Sequence, residues 1–161
     1  VTGDYEDFHE YSERYPLLRQ ALQLKEYIFE KGGKQWASVL DVESALELLE
    51  ELAETPVVAG VRAAILNGTH LFVYSVASPW YARNKVILAE QFFLRIAPGD
   101  SKGAYEAIEA LASDFEATHI VMATALAKDD ARLGMLYEAQ GYTQQSTQYV
   151  KEAAWLQSVP S

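Results

Sequence analysis

Asn67-Gly68 stands between two runs of β-favouring apolar residues, VVAGVRAAIL over 57–66 and HLFVYSVAS over 70–78. A two-residue hairpin turn needs positive φ at both central positions, which Asn and Gly adopt at least cost, so the pair predicts a β-hairpin mid-chain. The Ala-rich first arm has the composition of a helix, but the turn chemistry reads it as a strand. This hairpin constrains everything downstream. Ser78 to Ala82 makes a loop, and Val86 to Ala97 is a long buried-strand candidate ending at Pro98. Gly99 to Gly103 reads as a glycine-containing loop, followed by a helix with Ala104, Ile108, Leu111, Ala112 and Phe115 on one face. HIVMATAL over 119–126 reads as a second buried strand, parallel to the first because a helix joins them. A helix over Asp129 to Gln140 stops at Gly141, which suits the residue after a helix end, and Tyr142 to Lys151 alternates as a closing strand.

Upstream, residues 1–15 are polar and aromatic. Pro16 opens a helix at its first turn, and Leu17, Leu18, Ala21, Leu22, Leu24 and Ile28 continue it to Lys31, before Gly32-Gly33. Gln35 to Leu40 is extended or a turn. Asp41 reads as an N-cap with Glu43 in the first turn, and Ala45, Leu46, Leu48, Leu49, Leu52 and Ala53 give the apolar face of a second helix that ends at Thr55-Pro56. The predicted order is α, α, β, β, β, α, β, α, β. That is an α/β fold: a mixed central sheet flanked by helices, in one domain over 1–161. It divides into a helical N-terminal segment (1–55), a core (57–151) and a tail (152–161).

A chain of 161 residues with 50% apolar content is long enough for one sizeable core. Its net charge of -10 repels phosphate backbones and anionic lipid, so neither nucleic acid nor membrane is an expected partner. The absence of cysteine excludes disulfides, thiolate catalysis and thiolate metal sites. His9, His70 and His119 are far apart and lack helical ligand spacing, so no metal is expected. The acidic start VTGDYEDF does not read as a secretory signal, and no apolar run is long enough to span a bilayer. The expected location is the cytoplasm of the producing cell. The opening Val reads as a literally translated GTG start codon, as in a complete bacterial or phage gene product.

The C-terminal half carries a motif. Asp130-x-x-Leu133-x-x-Leu136-Tyr137-x-x-x-Gly141-Tyr142 resembles, without a gap, the N-x-x-A-x-x-L-Y-x-x-x-G-F signature of the GNAT acetyltransferase superfamily. Leu136, Tyr137 and Gly141 match; Asp130, Leu133 and Tyr142 replace Asn, Ala and Phe. The resemblance spans about residues 57–151 and includes the strand ending Ile96-x-Pro98. It implies a GNAT-like fold with acetyl-CoA in the splay between the strands at 86–97 and 119–126, and cofactor contacts at Ile96, Lys102, Gly103, Ala104 and Asp130. The family's loop after this strand usually reads Q/R-x-x-G-x-G/A, so that backbone N–H groups at a helix start can approach a diphosphate. Here Asp100 occupies the basic or amide position, Gly103 the first glycine, and Tyr105 a position where Gly or Ala is expected.

Glu90, six residues before Ile96, resembles the glutamate base of the histone-modifying branch. A carboxylate in an apolar strand has a raised pKa, which suits deprotonating an amine; alternatively it marks a solvated face or pairs with Arg83 or Arg95. Tyr137 matches the family tyrosine that protonates the departing thiolate, or packs with Leu133 and Leu136. Trp80 and Tyr81 line a cleft, form a protein contact or cover the local core. Trp155 and Leu156 are expected to dock on the domain's own surface. The clusters Asp4-Glu6-Asp7-Glu10 and Glu47-Glu50-Glu51-Glu54 imitate nucleic acid, attract basic partners or are solvated helix faces.

The chain also resembles small phage-encoded GNAT-like proteins, which are short, acidic and cysteine-free. That likeness implies a non-enzymatic component acting through contacts with other virion or host proteins, packaged in the particle. The helical segment over 1–55 departs from the opening strand usual in the superfamily, which leaves room for such a role.

Overall fold

The computed structural model describes residues 4–8, 15–32, 40–123, 130–145, 149 and 151–157. Ten elements follow in order: β1 (Tyr5–Asp7), α1 (Tyr15–Gly32), α2 (Val42–Glu54), β2 (Arg62–Leu66), β3 (His70–Ala77), β4 (Ile87–Arg95), α3 (Ser101–Asp114), β5 (His119–Val121), α4 (Asp130–Ala139) and α5 (Ala154–Gln157). The strands form one sheet in sequence order, antiparallel from β1 to β4 and parallel between β4 and β5. The expected mixed α/β architecture is observed.

Strand alternation sorts the sheet into two faces. Ala63 and Ile65 of β2 and Leu71 and Val73 of β3 meet Leu18 and Leu22 of α1 and Leu46, Leu49 and Leu52 of α2. Ala64, Leu66, Phe72 and Tyr74 face the other way, onto Ala104, Ala107, Ile108 and Leu111 of α3 and Tyr137 of α4. The alanines of α3 let its axis approach the strands closely. Asp41 caps α2 through Oδ1, which accepts from the N–H groups of Glu43 (3.0 Å) and Ser44 (3.2 Å). At the end of α4, Tyr142 N–H donates to Tyr137 O (3.1 Å) and Gly141 N–H to Glu138 O (3.0 Å), the double closure expected from the glycine there.

The Asn67-Gly68 turn forms as its chemistry requires, with φ of 53° and 70°. Four expectations need correction. Residues 57–61 are not strand: Ala59 and Gly60 take φ of 50° and 79°, and Val58 pairs back onto Val61, so a second tight turn precedes β2. An opening strand is present ahead of the helical segment, because Tyr5–Asp7 pairs with Ala64–Leu66 and the Tyr5 hydroxyl donates to Asp114. Helix α3 begins at Ser101, so Lys102 and Gly103 lie in its first turn and not in a loop. The described residues of 142–151 carry no strand, and β5 covers only 119–121 of the strand expected over 119–126. Residues 124–126 and Asp129 lie outside the described residues, as do 33–39 of the stretch before α2.

Candidate active site

Strands β4 and β5 pair for three residues only, Ile87↔His119, Leu88↔Ile120 and Ala89↔Val121, and then part. The cause lies on the other side of β4. Val73 pairs with Phe92 but Tyr74 pairs with Glu90, which leaves Gln91 as an extra, unpaired residue. A bulge bends the strand that carries it and sharpens its twist. It also moves each later side chain to the opposite face. Leu88 therefore faces α3, whereas Leu94 and Ile96 belong to the α1/α2 core.

Glu90 sits between the last β5 pairing and the bulge. Its carboxylate is half-buried and accepts a hydrogen bond from the Ala123 backbone N–H, across the gap between the strands. Loss of solvent pushes its pKa up to about 7, with the Ala123 bond opposing the rise. Tyr137 reaches the same residue from α4, its hydroxyl donating to Ala123 O at 2.8 Å. Burial, and then the negative charge of Glu90, drive the Tyr137 pKa far upward, so its hydroxyl stays protonated at any physiological pH. The two side chains thus hold the N–H and the C=O of one residue, Ala123, just past the last β4–β5 pairing.

Further rings surround the pair. Tyr105 lies against Tyr137 (centroids 6.1 Å) and Phe93 (5.8 Å), and Tyr142 lies against Tyr137 (5.7 Å). Burial raises the pKa of Tyr105, and that of Tyr142 to about 12. The Tyr142 hydroxyl is buried with no hydrogen-bond partner among the described residues. Tyr105 was met in the sequence only as an oversized loop residue. Ala123 carried no motif that marked it as a neighbour of a site, and Tyr142 entered only as the last position of the signature, in place of Phe.

The remaining predicted positions fall elsewhere. Ile96 is in the α1/α2 core, and its N–H is taken by Thr69 O at 2.8 Å. Asp100 is the N-cap of α3, with its Oδ1 accepting from Lys102 N–H at 2.6 Å. Gly103 is buried against the hairpin turn, where a Cβ would lie 2.2 Å from Asn67 Nδ2. Ala104 is fully buried beneath α3, while the Lys102 side chain is exposed. Asp130 begins α4, and its side chain lies outside the described residues. Arg95, the alternative partner for Glu90, instead donates to Gly99 O and to Ser101 Oγ (2.9 Å).

Trp80 and Tyr81 are 88% and 74% exposed, so they cover no core. Trp155 is 68% exposed. Glu47, Glu50, Glu51 and Glu54 line the solvated face of α2. A groove of about 510 Å³, lined by Glu109, Ser113, Thr118, His119 and Gly141 among others, lies at the start of β5, the opposite end from the split. It does not include Glu90 or Tyr137 but shares Tyr142 with the rings around them.

Against this geometry stands one similar solved structure, an aminoglycoside acetyltransferase from an uncultured soil metagenomic sample. It matches with a TM-score of 0.56 over 94% of this chain and 98% of its own, at 14% identity. The shared fold is GNAT-like. No protein-family model matches the sequence, and no curated protein does. Among the described residues no helix is long and apolar enough to cross a membrane, and no group of His, Asp or Glu could hold a metal ion.

The residues fit the two ends of acetyl-CoA unequally. At the acyl end, the β4–β5 ladder stops at Val121, and Glu90 and Tyr137 meet at Ala123 just beyond it. At the diphosphate end, the α3 start is closed by the Asp100 carboxylate, and the protein's own Asn67 packs on Gly103.

Proposed function

We propose that the chain is a GNAT-fold N-acetyltransferase that acylates an amine at the split between β4 and β5, with Glu90 as base. The observation that carries this reading is the convergence of Glu90 and Tyr137 on the Ala123 peptide at the point where the two strands part. Acetyl-CoA supplies, when bound, an acetyl group activated as a thioester. A base with a pKa near 7 is about half ionised at neutral pH and basic enough to relieve an amine of its proton. Glu90 takes that proton as the nitrogen–carbon bond forms and the carbon–sulfur bond breaks. Amine and thioester become amide and thiol, and the proton on Glu90 returns to solvent as the thiolate is protonated. Tyr137 donates to the leaving sulfur only by giving up its bond to Ala123 O, and its raised pKa opposes full proton transfer.

The similar structure's name makes aminoglycosides the first amines to try. A net charge of -10 also suits a polycationic acceptor. The test is thiol release from acetyl-CoA with a panel of aminoglycosides and polyamines. Wild type is expected to turn over at least one of them, and Glu90→Gln to lose about 100-fold or more. Equal turnover by the variant contradicts the assignment of Glu90.

A second reading is favoured by the Asp100 cap and by the Tyr105 ring beside the split. In it the fold is a non-enzymatic module that works through contacts with virion or host proteins, with exposed Trp80 and Tyr81 as anchors. No thiol release with any amine, together with stoichiometric recovery in purified particles, supports this alternative.

A further inference from the structure

Within the acyltransferase reading, on which this rests, we infer that the donor is held through its acyl and pantetheine end alone. Small acyl thioesters lacking the nucleotide should then bind as well as acetyl-CoA.

A diphosphate is normally gripped by free backbone N–H groups at a helix start, helped by the helix dipole and by nearby cations. Each of those features has been turned inward here. Asp100 Oδ1 takes the Lys102 N–H at 2.6 Å and puts a carboxylate where an anionic ligand would bind. That carboxylate is itself stabilised by the dipole, so a ligand must displace a favourable contact as well as overcome like charge. Arg95, the nearby guanidinium, is fastened to Gly99 O and Ser101 Oγ. Gly103 has the residue type of a phosphate cradle for another reason: the hairpin turn lies on it, with Asn67 Nδ2 2.2 Å from where a Cβ would be. The exposed Lys102 remains as a cation, on a chain whose net charge of -10 opposes a polyanionic donor. The acyl end keeps Glu90 and Tyr137 together at Ala123, past the end of the β4–β5 ladder.

The test measures binding without an acceptor amine, by calorimetry and thermal shift, for acetyl-CoA and for S-acetylpantetheine. Wild type is expected to bind the two with dissociation constants within about threefold, with little dependence on salt. Asp100→Gly keeps a tolerated cap residue while freeing the Lys102 N–H, and should tighten acetyl-CoA by about tenfold and leave S-acetylpantetheine unchanged. Acetyl-CoA binding to wild type tenfold or more tightly than S-acetylpantetheine overturns the inference, and that comparison needs no variant. An Asp100→Gly protein that folds but gains no affinity for acetyl-CoA overturns it too. If neither compound binds wild type, the acyltransferase reading itself fails and takes this inference with it, an outcome distinct from unequal binding.

Discussion

The two faces of the sheet are built from different materials. Toward α1 and α2 the core is mainly aliphatic, with Phe8 in it and Phe92 at its margin, and Leu18, Leu22, Leu46, Leu49, Leu52, Ile65 and Leu71 make a cluster without a titrating group among the described residues. Toward α3 and α4 the core contains Phe72, Tyr74, Tyr105 and Tyr137, with Tyr142 against it, and Glu90 lies at its margin beside Tyr137. An aliphatic face can only stabilise. Phenols and a carboxylate held out of water cost stability but keep protons at shifted pKa values, which is what a site for proton transfer requires. The bulge at Gln91 separates the roles along β4 as well: Leu88 faces α3, whereas Leu94 and Ile96 serve the aliphatic core.

The largest expected effect tests the aliphatic side. Leu46→Ala removes a buried side chain from a dry core and should cost about 2–5 kcal/mol in urea unfolding. Turnover per folded molecule should not change, and a loss of specific activity in the folded fraction would blur the division between faces.

His70 gives the next effect. It is buried, stacked on Phe93 at 4.8 Å, and its Nδ1 lies 2.7 Å from Thr69 Oγ1. Burial, and then the charge of Arg95, lower its pKa to about 4 from an unfolded value of 6.5. A depressed folded pKa contributes stability that is present above 6.5 and lost as pH falls toward 4. The loss at pH 4 should reach up to about 3 kcal/mol. Unfolding followed from pH 7 to pH 4 in wild type and His70→Phe checks this: Glu90 acts with the opposite sign in both proteins, so the stability of wild type relative to the variant should fall by up to about 3 kcal/mol across that window.

Glu90 has the opposite sign. Its folded pKa is raised to about 7 from 4.5, so the protonated form favours the fold below 4.5 and that advantage disappears as pH rises through 7. Glu90→Gln should therefore be more stable than wild type at pH 8, by about 1–3 kcal/mol, with little difference at pH 4. A variant that is less stable at pH 8 would mean that the carboxylate holds the strands together instead of straining them. The smallest effect belongs to Tyr137→Phe. Removing the hydroxyl frees Ala123 O and should cost about 1 kcal/mol.

What the sequence made legible was local chemistry. Asn67-Gly68 announced its own turn, Asp41 its cap, and Gly141 the end of α4, because each acts through neighbours a few residues away. Long-range pairing was not legible. Tyr5–Asp7 has no apolar run and becomes a strand only because β2 offers an edge. The bulge at Gln91 exists through the register with β3, so the run VILAEQFFLRIA gave no sign of where it changes face. The start of α3 was within reach: an Asp ahead of an apolar helical face is an N-cap signal, and reading Asp100 that way shows the first turn closing on itself. Glu90 and Tyr137 were singled out by resemblance, but their meeting at Ala123 needed the fold, since that residue stands 33 positions from one and 14 from the other.

Everything proposed for the split depends on one carboxylate being held away from water and next to the reacting groups. Carbon-13 labelling of the glutamate carboxyls, with Glu90→Gln to assign the resonance, reads that directly as a titration from pH 3 to pH 9. The account predicts a midpoint near 7 for Glu90 and a change in that resonance when S-acetylpantetheine is added. A midpoint in the ordinary range near 4.5, unmoved by the thioester, would contradict it.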